Sequence, residues 1–205
     1  RDAMSEKTIS TALFEVIKKS DLIGKRIGDS ISEFVFTSSS KNNIVVAFMS
    51  IILQHHNSIV LLTNENLQSS ASALARPLVD ALYRGTWVTL VADEEMAQKI
   101  SKGTECFAKT EKLAKQIDST INSTTFSEIW KRNSTTLHGM THGGVEQLAR
   151  QFNDDASKVE PSFTDKEMIE LLNSSTVNLA MMLLALSYNF KDEKLEALAK
   201  EIITA

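Results

Sequence analysis

The sequence predicts an all-α protein, a single-domain helical bundle of about six to eight helices, on three observations. The 205 residues contain only two prolines and seven glycines, too little turn material for a many-stranded sheet. Apolar positions recur at helical spacing along most of the chain. Hydrophobic residues make up 42% of the total, enough for one substantial core.

The elements follow in chain order. Ile9, Leu13, Val16 and Ile17, then Ile23, Ile27, Ile31 and Phe34, trace a first helix with a possible break at Gly24. Residues 37–43 are a Ser/Asn-rich connection, and residues 44–62 form a second, strongly apolar helix. That run is nearly long enough to cross a bilayer, but Gln54, His55, His56, Asn57 and Ser58 fall in its middle, which favours a buried bundle helix. A third helical pattern covers residues 67–92, with a kink or restart at Pro77, because proline lacks a donor and clashes with the preceding turn.

Asp93, Glu94 and Glu95 suit the first turn of a further helix, on which Met96, Ile100, Phe107 and Ala114 share a face. Lys99, Lys102, Lys109, Lys112 and Lys115 then belong to its solvated side. Thr125-x-x-Glu128 reads as a capping box for the segment carrying Trp130 and Arg132, and Gly143 and Gly144 offer the positive φ that ends a helix. After a polar loop at residues 153–161, Thr164-x-x-Glu167 caps a helix bearing Met168, Leu172, Leu179, Met182, Leu183, Leu186 and Phe190. Leu195, Leu198, Ile202 and Ile203 mark a short last helix. Met4 reads as the natural start, with residues 1–3 a foreign remnant and one domain over 4–205.

Composition excludes several function classes. A net charge of -4 gives no general pull toward nucleic acid, so any such contact is local. Cys106 is the single cysteine, which rules out an internal disulfide and a paired-cysteine zinc site and fits a cytoplasmic protein with no membrane partner. No Walker or dinucleotide glycine loop and no Gly-x-Ser-x-Gly elbow is present, and no cofactor is expected.

Chemistry concentrates in residues 130–144, which hold Arg132, Asn133, His138, His142 and three of the seven glycines. None of these is a strong core or helix-interior choice. A near-neutral histidine, His138 or His142, can take a proton from a ribose 2′-hydroxyl, and the planar fork of Arg132 suits the charge developing on a phosphate, with Asn133 orienting either group. His138 and His142, four apart, share a helix face, whereas Arg132 and His138 do not; a bend at Gly139 or a second subunit is needed to join them.

Arg76, Asp80 and Arg84 form a charged stripe on the third helix, flanked by Tyr83 and Trp87. It is either a salt-bridge ladder holding helices in register or an anion-binding wall opposite the histidines. With His56 it makes the candidate substrate-binding set, although a histidine on a buried helix is more often a hydrogen-bonded core residue. A metal site drawn from His56, Asp80, His138 and His142 lacks the usual metallohydrolase or di-iron spacing. Trp87 and Trp130 read as core anchors.

Arg132-Asn133 followed by His138 resembles the Arg-x(4 to 6)-His pattern of HEPN domains. The resemblance implies a helical bundle, commonly a homodimer with a composite site, acting as a metal-independent ribonuclease in toxin-antitoxin, CRISPR or anti-phage systems, with RNA as substrate and a cognate antitoxin as possible partner. A second similarity carries more of the chain: His56, Ile59, Leu62, Ala73, Leu74, Arg76, Pro77, Leu78, Asp80, Ala81, Arg84 and Trp87, with Leu137-His138-Gly139-x-x-His142-Gly143-Gly144, look like uncharacterised bacterial helical proteins. Where that pattern has mostly Glu, this chain has Asp80. The leading expectation is RNA cleavage or RNA binding; the alternatives are a non-catalytic interaction or sensor module that binds a nucleotide or protein, and a metal-dependent hydrolase.

Overall fold

The computed structural model describes residues 9–142, 144–152, 157–159 and 161–204. Its elements are α1 (Thr11–Ser32), α2 (Ser40–Asn64), α3 (Gln68–Ala73), α4 (Ala75–Leu90), α5 (Glu94–Ser101), α6 (Thr110–Ile121), α7 (Thr125–Thr141), α8 (Val145–Ala149), α9 (Asp165–Phe190) and α10 (Glu193–Thr204). Eight of these exceed one turn by a wide margin, and α3 and α8 are short. Among the described residues the only β-type pairing is an isolated bridge between Phe152 and Val159, so the fold is an all-α bundle.

The apolar helices α2 and α9 form the centre. Met49, Ile52 and Ile59 of α2 and Leu172, Leu179 and Leu183 of α9 are fully buried, with α1 and α4 packed against both and α10 against α9. Burial of each such side chain contributes about 1.5–3 kcal/mol. By length and composition α2 and α9 could each cross a membrane.

Local signals start most helices, although α2 begins at Ser40, so that residues 40–43 of the expected connection form its first turn. Side-chain oxygens of Ser10, Ser39 and Asp93 accept the backbone N–H of Leu13, Asn42 and Met96. Thr164 and Glu167 make both bonds of the expected capping box at α9. The restart near Pro77 falls at Leu74, which puts Pro77 third in α4, where its missing donor costs nothing.

Four local expectations are corrected. α1 runs unbroken through Gly24, which is buried against α2; a Cβ there would lie 2.5 Å from Asn57 Oδ1 and 3.1 Å from the His56 ring. The glycine serves close helix approach, not a break. The expected single helix through Met96 and Ala114 is two: Gly103, at φ +70, ends α5, and α6 begins only at Thr110. The five lysines of this region are exposed as expected.

Thr125 does not cap α7. It is the first residue of that helix, and the N-cap Thr124 makes no side-chain capping bond. The buried carboxylate of Asp118 on α6 does this instead, accepting Phe126 N–H at 2.9 Å and Ser127 N–H at 2.8 Å. Gly144 has φ -69, so it ends nothing by positive φ, and Gly143 lies outside the described residues. Gly144 N–H donates to Gly139 O at 2.9 Å, and a Cβ on Gly144 would meet Gly139 Cα at 2.8 Å. These glycines let α8 fold back against the end of α7. Of the expected loop at 153–161, residues 153–156 and 160 lie outside the described residues; beyond it, Ser162 N–H bonds Arg150 O and Arg150 pairs with Glu167.

Candidate functional site: a cationic cleft beside the end of helix α7

A cleft of about 390 Å³ opens between α2, α4 and the end of α7. Its apolar floor comes from Phe48, Ile51, Pro77 and Ala81. Arg76, Asp80 and Arg84 line one side because four-residue spacing puts them on one face of α4; His55, Thr141 and His142 complete the rim.

The charges are not equivalent. Arg76 Nε donates to Asp80 Oδ2 at 2.9 Å, and the Thr110 hydroxyl donates to Asp80 Oδ1 at 2.6 Å, so both oxygens of Asp80 are occupied. The guanidinium of Arg76 also lies over the Trp130 ring, 4.7 Å from its centroid. The ladder reading therefore holds for Arg76 and Asp80. Arg84 stands outside it: its guanidinium lies 5.5 Å from the Phe107 centroid, and its Nε is buried without a hydrogen-bond partner. A buried, unpaired donor on a cation is a costly arrangement, usually resolved by a ligand or an ordered water.

His55 is half-buried, and burial pushes its pKa below the ordinary histidine value. His142 packs against His138, with ring centroids 4.6 Å apart and planes inclined by 52°, as their four-residue spacing predicts. The stripe and one of the two C-terminal histidines thus surround a single cavity.

The remaining candidates are placed elsewhere. His56 is fully buried: Nδ1 meets Ser175 Oγ and Nε2 meets Ser20 O, each at 3.0 Å. Desolvation lowers its pKa against the opposing effects of the Ser20 carbonyl and Asp21, so it is a neutral core histidine and not part of a substrate site. The neighbouring His55 takes the cleft position. Arg132 is largely exposed and pairs with Glu128 at 3.6 Å. α7 continues without a bend past Gly139, leaving Arg132 and His138 six residues, or about 240° of rotation, apart. The composite Arg132–His138 site does not form within one chain. Asn133 donates to Ile129 O and lines a different, apolar cavity. Among the described residues no three His, Cys, Asp or Glu side chains converge as metal ligands, so the set of His56, Asp80, His138 and His142 is not assembled.

Sequence reasoning missed Thr141, Phe48 and Ile51 as cleft residues and Thr110 as the partner of Asp80. None has a local signal, since each meets α4 only through tertiary packing. Trp87 is a core anchor as expected, donating to Gln116 at 2.9 Å.

Fold and cleft define an all-α protein with a half-buried arginine–histidine pocket. Residues 49–203 match a family of unknown function, DUF6988, and the chain belongs to that family. No curated protein and no solved structure matches the chain.

Proposed function

We propose that this protein is a binding module for a nucleotide phosphate, taken in the cleft between α2, α4 and α7. The unpartnered, buried Nε of Arg84 carries this reading. A phosphate oxygen would satisfy that donor, and guanidinium geometry suits phosphate. Arg76 is already neutralised by Asp80, so Arg84 supplies the surplus positive charge, with His142 as a further donor at the rim. The apolar floor of Phe48, Ile51 and Pro77 suits a base or ribose face.

The test is thermal denaturation with AMP, inorganic phosphate and a short 5′-phosphorylated RNA, each at millimolar concentration, on the unaltered chain and on Arg84→Met. A ligand at a hundred times its Kd adds about 2.7 kcal/mol, which at this chain length raises Tm by about 5 °C or more. That rise is expected for AMP and its loss in Arg84→Met. Absence of any shift with all three compounds overturns the reading.

Metal-independent RNA cleavage is the second reading, and the neighbouring imidazoles of His138 and His142 favour it. One could act as base and the other as acid beside the arginines of the cleft. In that scheme Arg76 and Arg84 take the phosphate-stabilising role that the HEPN resemblance assigns to Arg132, unless a homodimer brings in a second Arg132. Cleavage of an RNA pool in EDTA that is lost in His142→Ala would support it, in the defence or toxin setting that the resemblance implies.

A further inference from the structure

On the opposite side of α4 from the cleft lies a second cavity, of about 320 Å³, walled by three helices. Its lining on α7 is Ile129, Trp130, Asn133, Thr136 and Leu137, a helical stripe of the kind that normally packs into a neighbouring helix. Here that stripe lines the cavity, with Trp130 alone of the five in ring contact with Tyr83 on α4. Only Phe126 and Gly139 of the 17 residues in α7 are buried. The facing stripe on α9 is Leu171, Ser174, Asn178 and Met181, and α4 supplies the floor through Val79, Leu82 and Tyr83.

The geometry points to a binding site for a small, uncharged aromatic molecule bearing one hydrogen-bonding group. Size and shape fit: 320 Å³ falls at the low end of ligand pockets, which are mostly apolar and carry a few convergent polar groups. The aromatic wall is organised. Tyr83 meets Phe126 and Trp130 edge to face at 5.4 and 5.8 Å, and its hydroxyl is tied to Phe126 O at 2.8 Å, which leaves a fixed apolar surface. No lysine, arginine or histidine lines the cavity, and Glu170 stands at its edge, so an anion is excluded. The polar group of the ligand would be met by Asn178, whose amide makes no hydrogen bond within the described residues, and by Asn133, which uses its amide nitrogen on Ile129 O and keeps its oxygen as an acceptor. The site is independent of the phosphate cleft in charge and in ligand.

The test is a fluorescence titration with N-phenyl-1-naphthylamine, a neutral aromatic amine that brightens in apolar surroundings. Ser174→Phe and Thr136→Phe, on different walls and at exposed positions, would fill the cavity without touching the core. Saturable binding to the unaltered chain is expected, weakened by about tenfold or more in both variants, with circular dichroism unchanged and with Arg84→Met binding as the unaltered chain does. No saturable binding, or binding that survives both filling substitutions, overturns the inference. Loss of AMP binding with retained naphthylamine binding would affect only the cleft.

Discussion

Gly24 and Gly28 lie one turn apart on α1, and the same substitution is expected to change stability in opposite directions at the two. Replacing a helical glycine by alanine gains about 1 kcal/mol of helix propensity. At Gly28 the new methyl would meet only Leu53 Cδ2 at 3.7 Å, an ordinary contact, so Gly28→Ala keeps most of that gain. At Gly24 it would stand 2.5 Å from Asn57 Oδ1 and 3.1–3.3 Å from the His56 ring. The Asn57 side chain is at the surface and can swing away. The His56 ring cannot, because it is held by Ser20 O and Ser175 Oγ. Either α1 lifts from α2 or the ring bonds lengthen, and overpacking of this kind costs about 1–3 kcal/mol. Net of propensity, Gly24→Ala loses up to about 2 kcal/mol, a Tm lower by up to about 8 °C, while Gly28→Ala raises Tm by about 2–4 °C. Calorimetry on the two variants measures this. Equal stabilisation by both would refute the seating of α1 on His56.

Three further outcomes follow from named contacts. Because burial lowers the His56 pKa, the unfolded chain binds its proton more readily; the associated stability is complete above pH 6.5 and is lost as pH falls through the folded-state value below it. In a His55→Gln background, which silences the second depressed imidazole, urea midpoints at about pH 7.5 and about pH 5.5, roughly one unit either side of the ordinary value, should differ more than in His55→Gln/His56→Gln. Arg84→Met removes a buried unpaired donor, worth about 1–3 kcal/mol, and gives up a cation–aromatic contact worth about 0.5–1 kcal/mol, so Tm is expected to hold or rise by scanning calorimetry; a fall of several degrees would make Arg84 a structural residue. Asp118→Ala strips two backbone donors of their acceptor at the start of α7 and should cost about 2–4 kcal/mol, with amide exchange accelerated at Phe126 and Ser127 and partial retention in Asp118→Asn.

Legibility in the sequence tracked the range of the interaction. Patterns confined to one helix were legible: the four-residue spacing that puts Arg76 beside Asp80, the shared face of His138 and His142, and the capping box at Thr164. What failed depended on neighbours distant in sequence. Thr125-x-x-Glu128 has the form of a capping box, but Asp118 reaches the same N–H groups from the preceding helix. His55 and His56 are adjacent, and only the packing of α2 decides that the second enters the core while the first faces the cleft. Arg84 stands outside the ladder, with the second oxygen of Asp80 taken by Thr110, thirty residues beyond Asp80.

The unusual composition of residues 130–144 has a physical account that requires neither catalysis nor core packing. α7 is pinned at its start by the Asp118 carboxylate and at its end by the close approach of Gly144 to Gly139, with the Glu146 carboxylate against Gly139. Between these points it covers cavities in place of a partner helix, so its residues need not be core residues. Trp130 is the hinge of that arrangement: it lines the apolar cavity, and the Arg76 guanidinium that borders the phosphate cleft lies over its ring. One cation–aromatic contact is thus a wall of both sites. The two sites differ in charge and in ligand, and any coupling between them would run through this contact and act equally in both directions, because binding free energies are linked reciprocally. A helix pinned at its ends and weakly buried between them is the element through which such a coupling would pass.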